Sequence, residues 1–196
     1  YGCHVTGVDP AQAMLDQAAQ HDGHDMVQWI CADAREVRLG RTFDLIVMTG
    51  HAFQCFLTDE DRRALFSTIA AHLSPCGHFI FDSRNPLAEE WRTWTPGATQ
   101  HPFRHSELGN VVAWDDHAFD PATQIVTYEC YYRLPSGELV HAPASRIAFP
   151  GEGEIEALLS KSGLRVESWL GDWNGGKWDD AAPEIIPLGA LAAPSR

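Results

Sequence analysis

The hydrophobic pattern of the first half of the chain alternates between strand-like and helix-like segments. Residues 3–9 form an apolar run that ends on a carboxylate, and the apolar side chains that follow recur at the spacing of one helix face. Two more apolar runs cover residues 26–31 and 43–48, and the second is continuous enough to be buried on both faces. Strands of that kind are typical of a parallel sheet, so the pattern predicts an α/β fold.

A second helix and another strand follow. Thr58 and Asp61 form a capping-box pattern ahead of apolar residues at helical spacing. Pro75 and Gly77 are predicted to end this helix before a strand over residues 78–81. The order β-α-β-β-α-β therefore predicts a Rossmann-like, mostly parallel sheet.

The pattern changes past residue 86, where a short helix is predicted over residues 87–94. Three strands separated by proline-containing turns then follow, over residues 111–119, 124–134 and 139–149. Consecutive strands joined by short turns form an antiparallel meander. No low-complexity linker flanks this region, so we interpret it as an insertion and not as a separate domain. Its many tryptophans and tyrosines predict a substrate lid.

The last part of the chain returns to the α/β pattern. A helix that ends at Gly163 precedes two final strands, over residues 164–170 and 183–188, and the last strand is predicted to run antiparallel. The chain thus divides into three parts: a cofactor-binding α/β core (1–86), an antiparallel insertion (87–150) and the completion of the core (151–196).

Composition and charge narrow the function. With 196 residues, 44% of them hydrophobic, the chain has the size and composition of one globular domain. Its formal charge of -13 repels a phosphate backbone or an anionic membrane surface, which disfavours nucleic acid and favours small-molecule chemistry. No apolar run is long enough to span a bilayer. Five scattered cysteines without CxxC spacing argue against a disulfide framework and favour the reducing cytoplasm.

Two carboxylates lie at the ends of predicted strands. Asp9 follows the first apolar run, where the two oxygens of a carboxylate can accept hydrogen bonds from the vicinal hydroxyls of a ribose. Asp33 follows the second run, where a carboxylate can accept from an exocyclic amine such as that of adenine. Each acid also has a structural alternative: Asp9 caps the helix that begins near Pro10, and Asp33 is a solvated loop acid.

The order of these motifs resembles the class I S-adenosylmethionine-dependent methyltransferases, and more closely their small-molecule branch with an antiparallel insertion after the fifth strand. The similarity is carried by four segments: VTGVDPAQAML (5–15), CADA (31–34), FDLIVMTGHAF (43–53) and IAAHLSPCGHFIFD (69–82). The chain departs from the family at Cys76, where a second glycine is usual, in a turn that contacts neither cofactor nor substrate. The resemblance implies methyl transfer from S-adenosylmethionine to a small-molecule acceptor.

The resemblance also implies the residues of a cofactor site, in which Asp9 holds the ribose and Asp33 lies on the adenine side. The residues assigned to the cofactor are Asp9, Pro10, Met14, Asp33, Ala34, Thr49, Gly50 and Phe53. No cluster of cysteine, histidine and aspartate has the spacing of metal ligands, so no metal is expected.

One element of the family pattern does not occur in the numbered chain. The family's first strand and its acidic, glycine-rich loop, which holds the methionine part of the cofactor, precede the segment that matches residues 5–15. Without that strand, a central position of the sheet is empty and two edges are unpaired. We therefore expect the first strand and the first helix to be encoded upstream of Tyr1.

On the acceptor side, the protein must align a nucleophile with a sulfonium methyl group and exclude water, and a base is needed only when the acceptor must lose a proton. His51 follows the strand over residues 43–48 and is the candidate catalytic base, because imidazole titrates near neutrality. Its alternative is a loop histidine that only makes a hydrogen bond. Arg84, for a carboxylate or phosphate, and Trp114 and Tyr131, for an apolar or ring-shaped group, are the candidate acceptor residues.

The sequence therefore predicts a cytoplasmic S-adenosylmethionine-dependent methyltransferase. Two alternatives stay open. An acid after the second strand serves the ribose of a dinucleotide equally well, which would make the chain an NAD-dependent oxidoreductase. A protein that keeps the cofactor fold but acts only in binding or interaction is the other alternative. The final antiparallel strand favours the methyltransferase over the oxidoreductase.

Overall fold

The structure, a computed structural model, describes residues 2–193 of the chain. Its strands and helices, in chain order, are β1 (Val5–Asp9), α1 (Gln12–Ala18), β2 (Val27–Cys31), β3 (Phe43–Met48), α2 (Asp59–His72), β4 (Leu73–Phe81), β5 (Ser83–Arg84), α3 (Pro96–Thr99), β6 (His101–His105), β7 (Gly109–Asp120), β8 (Ile125–Arg133), β9 (Leu139–His141), β10 (Ser145–Ala148), α4 (Glu152–Lys161), β11 (Leu164–Leu170) and β12 (Glu184–Leu191). The α/β fold class predicted from the hydrophobic pattern is confirmed.

One sheet carries most of the α/β core. Its strands lie in the order β11-β12-β4-β3, and the short β5 also pairs with β12. β3 and β4 are parallel, whereas β12 is antiparallel to both β4 and β11. The predicted antiparallel last strand is therefore confirmed, and it runs on to Leu191.

The first two strands form a separate parallel pair, in register from Val5 with Val27 to Asp9 with Cys31. Among residues 2–193, neither β1 nor β3 has a strand partner on its second edge. Residues of both strands line a trough of about 440 Å³, which extends from Asp9 at the carboxyl end of β1 to His72 at the end of α2. The trough lies where the sequence predicts an additional central strand.

Helices α2 and α4 pack against the main sheet, and their apolar side chains belong to one buried cluster. Phe53, Phe66 and Phe81 are fully buried in it, with ring centroids 4.5 to 5.7 Å apart. Burying a side chain of this size stabilises the fold by about 1.5–3 kcal/mol. The cluster gives rigid support to the segment that follows β3. None of the helices in the described part of the chain has the length and apolar character needed to cross a membrane.

The predicted end of the second helix is wrong. α2 ends at His72 and β4 begins with the next residue, so that Pro75 and Gly77 lie inside the strand instead of terminating the helix. The pairing of β4 with β3 shifts register between Phe43 and Leu45. The extra residues of β4 form a bulge, which is a place in a strand that tolerates proline and glycine.

The insertion forms a second, antiparallel sheet in the order β10-β8-β7-β6, with β9 also paired to β8. The predicted meander is confirmed, although its third strand is divided into β9 and β10. The sequence did not predict β6. Pro102 argues against a helix there, and β6 is an edge strand, where a missing backbone N–H is tolerated.

The helix predicted over residues 87–94 is also wrong, because this segment forms two short 3-10 turns, Pro86–Ala88 and Glu90–Thr93. Glu89 between them has a left-handed φ of 46°, which interrupts a right-handed helix. Trp91 of the second turn is buried, with its ring centroid 4.6 Å from that of Phe119 and 4.5 Å from that of Phe149. These rings form the hydrophobic centre of the insertion.

Candidate active site

The segment after β3 forms a tight turn at the carboxyl end of the main sheet. Gly50 and His51 both adopt left-handed backbone conformations, with φ of 70° and 59°. Glycine enters this region freely, whereas a histidine there is held in place by its surroundings. Strained non-glycine residues cluster at functional sites, so the contacts of His51 carry information about function.

The Asp82 carboxylate, at the end of β4, holds this turn. Asp82 is only 3% exposed and accepts hydrogen bonds from the backbone N–H groups of Gly50 at 3.2 Å and His51 at 2.8 Å. Trp173, in the loop between β11 and β12, donates its indole N–H to the same carboxylate at 3.2 Å. Three N–H donors satisfy the buried charge. Asp82 therefore fixes the backbone position of His51.

A second carboxylate orients the imidazole of His51. Its Nε2 lies 2.8 Å from Oε1 of Glu184, the first residue of β12. Because a carboxylate only accepts hydrogen bonds, this contact places the imidazole proton on Nε2 and leaves the lone pair on Nδ1. Both side chains are mostly buried, with 23% and 19% of their surface exposed. A positioned imidazole with a carboxylate behind it is suited to accept a proton.

Two cavities lie near the turn. One is the trough between β1 and β3, and the other, which we call the insertion cavity, measures about 360 Å³ and lies between the turn and the insertion sheet. The insertion cavity is lined by Gly50, His51, Cys55, Arg84, Trp94, Asp115, Tyr128, Cys130 and Ile147. Because Cys55 lines both cavities, they are neighbours. The insertion cavity is the binding space beside the turn, whereas most of the trough corresponds to the position of the expected central strand, with Asp9 at its mouth.

Arg84, which the sequence assigned to the acceptor, does line the insertion cavity. Its Nη1 donates to the amide oxygen of Gln54 at 2.9 Å, and its guanidinium carbon lies 5.2 Å from the centroid of the Trp94 ring. Its Nε is 3.1 Å from a carboxylate oxygen of Glu90, an ion-pair contact without a directed hydrogen bond. The positive charge of Arg84 is therefore already balanced within the protein.

Asp9 and Pro10 line the trough at the end of β1. Oδ1 of Asp9 accepts a hydrogen bond from the backbone N–H of Ala11 at 2.7 Å, just before α1 begins. Oδ2 makes no hydrogen bond to any residue of the described chain. The carboxylate thus combines the local contact expected of a cap with a second oxygen that remains free to accept from a hydroxyl.

Asp33 forms an ion pair with Arg35, whose Nε and Nη2 donate to the Asp33 carboxylate at 2.6 to 3.1 Å. Nη1 of Arg35 contacts Asp61 of α2. Side-chain hydrogen bonds from Arg35, and then its backbone N–H, lower the pKa of Asp33. Ala34, the cofactor residue that follows Asp33, lies on the wall of the trough, whereas the Asp33 carboxylate binds Arg35, which in turn contacts α2.

The other residues assigned to the cofactor lie in different surroundings. Thr49 and Gly50 are exposed at the turn. Phe53 is fully buried in the core and lines neither cavity, so it supports the turn by packing. Met14 is 59% exposed on α1 and also lines neither cavity.

Trp114 and Tyr131 are not brought to the insertion cavity. They face each other across β7 and β8 and stack with ring centroids 5.7 Å apart. Side chains alternate between the faces of a strand, and the neighbouring Asp115 is the residue that lines the cavity. Trp114 and Tyr131 therefore lie on the opposite face of the insertion sheet. The aromatic wall of the cavity comes instead from Trp94 and Tyr128.

The sequence did not predict a role for Glu184 or Asp115, although each is a carboxylate within an apolar strand pattern. Glu184 is the one charged residue of the otherwise apolar β12. Asp115 interrupts the inward-facing series of β7, in which Val111 and Ala113 are buried. A carboxylate in a strand position that otherwise holds apolar residues is costly unless it has a partner or a function.

The fold and the site define a class of protein. The antiparallel β12 and the carboxylate at the end of β1 match the class I methyltransferase pattern, and the antiparallel strand argues against a dinucleotide dehydrogenase. The residues present fit S-adenosylmethionine, because Asp9 keeps one carboxylate oxygen free for a ribose hydroxyl at the mouth of the trough.

Known proteins agree with this class. A family model described as "Methyltransferase domain" matches residues 1–77. A curated relative, the Cypemycin N-terminal methyltransferase of a Streptomyces species, is 22% identical over 185 residues, which make up 94% of this chain and 73% of the relative.

Solved structures show the same fold. The CcbJ methyltransferase from Streptomyces caelestis has a TM-score of 0.82 at 18% identity and covers 98% of this chain and 76% of its own. CalS10, an amino pentose methyltransferase from Micromonospora echinaspora whose structure holds S-adenosylmethionine, has a TM-score of 0.68 at 19% identity, over 96% of this chain and 74% of its own. Residues 1–77 thus match a methyltransferase family model, and the chain shares its fold with solved S-adenosylmethionine-dependent methyltransferases.

Proposed function

We propose that this chain transfers the methyl group of S-adenosylmethionine to the amino nitrogen of a small-molecule acceptor bound in the insertion cavity. The observation that carries the proposal is the contact of His51 Nε2 with Glu184 Oε1 at 2.8 Å, beside a cavity large enough for a small molecule. An amine is protonated at neutral pH and must lose a proton before it can act as a nucleophile. A positioned imidazole meets that need.

The roles of the protein groups follow from their contacts. Asp82 holds the backbone of the turn, and Glu184 keeps the imidazole proton on Nε2, so that Nδ1 of His51 accepts the proton of the acceptor ammonium. Asp9 and Ala34 on the trough wall are the residues that hold the cofactor, together with Thr49 and Gly50 of the turn, of which Gly50 lines the insertion cavity. S-adenosylmethionine supplies, when bound, a sulfonium methyl group that a neutral amine displaces in line.

Residues 87–150 act as the lid over the acceptor in this proposal. Trp94, Tyr128 and Ile147 of this region line the insertion cavity and offer an apolar surface that excludes water from the reacting groups. The relatives support an amino acceptor, since one is named for methylation of a peptide N-terminus and another for an amino pentose. The formal charge of -13 adds a general attraction for cationic acceptors.

The test is a methylation assay with paired acceptors. The full chain is incubated with S-adenosylmethionine and either D-glucosamine or trialanine, and the products are identified by mass spectrometry. D-glucose and N-acetyltrialanine are the matched controls without a free amine. Methylation confined to the amines supports the proposal. Methylation of the hydroxyl controls with unreacted amines contradicts nitrogen transfer, and cofactor binding without any product would favour a non-catalytic binding protein.

We also propose a cytoplasmic location without nucleic acid partners. All five cysteines are free thiols, and the four at Cys3, Cys31, Cys55 and Cys76 are exposed, a composition suited to a reducing compartment. The net negative charge disfavours a phosphate backbone as a partner. Cell fractionation with an antibody against the chain tests the location.

A further inference from the structure

The insertion cavity contains a carboxylate to which the proposed reaction gives no role. Asp115 of β7 lines the cavity, opposite Cys130 of β8. Among the residues that the structure describes, it is the one acidic side chain on the cavity wall. Within residues 2–193, no lysine, arginine or histidine forms an ion pair with it.

The position of Asp115 is fixed by its neighbours. Its backbone N–H donates to Oγ1 of Thr99, from α3, at 2.8 Å. Burial, together with the hydrogen bond to Asp115 and the negative charge of that residue, raises the pKa of the Cys130 thiol to about 11. The thiol therefore stays protonated and neutral at physiological pH. A neutral thiol donor leaves the negative charge of Asp115 uncompensated.

The cations on the cavity wall do not supply the missing charge. Arg84 is the one guanidinium there, and its ion pair is with Glu90, at 3.1 Å. The Nε2 of His51 faces Glu184. The wall of the cavity therefore carries an excess negative charge at Asp115. A partly buried carboxylate without a partner is unfavourable, and a bound cation would relieve that cost.

We propose that Asp115 binds the ammonium group of the acceptor and thereby restricts the acceptor to small amines. This inference rests on the proposed function and names the residue that selects its substrate class. Aliphatic amines arrive as cations at neutral pH, and a charge-assisted N–H to carboxylate hydrogen bond is about twice as strong as a neutral one. The rings of Trp94 and Tyr128, which also line the cavity, contact the apolar part of the amine.

Asp116 offers a matched control. It is exposed on the other face of β7, where its Oδ1 accepts from the backbone N–H of His117 at 2.8 Å. Asp115→Asn and Asp116→Asn change the net charge by the same amount and preserve side-chain size. They differ only in the face of the strand on which the charge is removed.

Calorimetric binding tests the inference without requiring turnover. The full chain, saturated with S-adenosylhomocysteine, is titrated with phenethylamine and with phenethyl alcohol, a neutral probe of nearly the same size. The wild-type chain is expected to bind the amine about tenfold more tightly than the alcohol. Asp115→Asn should bind the two probes equally, and Asp116→Asn should keep the preference. Binding of S-adenosylhomocysteine shows that each variant is folded. If Asp115→Asn does not fold, Asp115→Ser is used in its place.

Equal affinity of the wild-type chain for the two probes overturns the inference, as does a preference that survives in the Asp115 variant. Loss of the preference in Asp116→Asn as well would assign the effect to net charge and overturn it too. The outcome is separable from that of the methylation assay. A preference that depends on Asp115, found together with methylation of hydroxyl groups only, would support the ammonium-binding role of Asp115 and contradict the proposed nitrogen transfer. Methylation of amines with a KM that is unchanged in Asp115→Asn would support nitrogen transfer and contradict the role of Asp115.

Discussion

His51 Nε2 and Glu184 Oε1 lie 2.8 Å apart and join two strand ends that are separated by 133 positions in the sequence. The contact places a carboxylate of β12 behind an imidazole whose backbone is held by Asp82 of the segment after β4. Three parts of the chain therefore meet at one side chain. An arrangement of this kind favours a role for the imidazole in proton transfer over a loop hydrogen bond alone.

Replacement of His51 by asparagine is expected to lower kcat by about 100-fold, because a positioned general base contributes 10²–10⁴-fold. Affinity for S-adenosylhomocysteine should stay near that of the wild type. Steady-state kinetics with the best amine acceptor and calorimetry check the two expectations. His21→Asn, at an exposed position after α1, is the matched control. A kcat unchanged by His51→Asn would mean that the chain works by alignment alone.

Glu184→Gln is expected to lower kcat less than His51→Asn does. Its amide oxygen still accepts from Nε2, but the charge that stabilises the imidazolium is lost, so we expect a fall in kcat of about tenfold. A loss in Glu184→Gln larger than that in His51→Asn would assign the catalytic role to the carboxylate instead.

Asp82→Asn is expected to weaken both stability and activity. Gly50 and His51 donate to different oxygens of Asp82, and asparagine replaces one of these oxygens by an NH₂ group, so one of the two backbone N–H groups loses its acceptor. Leaving a buried donor unsatisfied costs about 1–3 kcal/mol, measurable as a lower free energy of unfolding in urea. Asp44→Asn, at an exposed residue of β3 that accepts from Ser74, is the control. Unaltered stability of Asp82→Asn would show that the turn does not depend on this carboxylate.

Much of the fold was predictable from the sequence because it depends on local hydrophobic periodicity. The bounds of β3 and β11 agree with the predicted runs, and Thr58 caps α2 through a 3.1 Å contact with the backbone of Asp61. The errors lie where pairing overrides local signals. Gly77 reads as a helix stop, yet it lies in a bulge whose register is determined by the neighbouring strand.

The site was predictable only in part, for the same reason. The position of His51 follows from the end of a strand, which a sequence reveals. Glu184 lies against His51 and Asp115 pairs with Cys130, positions that are distant in the chain, so the sequence shows two unusual carboxylates but does not reveal their neighbours. The faces of the insertion strands also depend on register, since a shift of one residue exchanges Trp114 for Asp115 at the cavity.

Asp9→Asn separates the two interpretations of Asp9. The amide oxygen can still accept from the N–H of Ala11, so the local cap and the melting temperature should be preserved. The lost charge is expected to weaken binding of S-adenosylhomocysteine by about 1–3 kcal/mol in calorimetry. Asp16→Asn, exposed on α1, serves as the control. Equal affinities of the Asp9 variant and the wild type would reduce Asp9 to a helix cap.

The ion pairs of Arg35 predict a pH dependence of stability. Hydrogen bonds from Arg35 lower the pKa of Asp33 from its usual 3.8. A hydrogen bond from Thr58, and then one from Arg35, lowers the pKa of Asp61. A carboxylate whose pKa is lower in the folded state stabilises the fold above its unfolded pKa, and this contribution is lost as pH falls through the folded value. The stabilisation should therefore be complete at neutral pH and disappear below 3.8.

Thermal melts of wild type and Arg35→Gln over this range measure the effect. Arg35→Gln should melt at a modestly lower temperature at neutral pH, because the pairs are partly exposed and screened by solvent. The difference should shrink as pH falls below 3.8, since protonated Asp33 and Asp61 no longer attract the guanidinium. Arg104→Gln, at an exposed position on β6, controls for the loss of one positive charge. A difference that stays constant with pH would mean that Arg35 stabilises the loop by packing its aliphatic part, and the carboxylates would then contribute nothing to it.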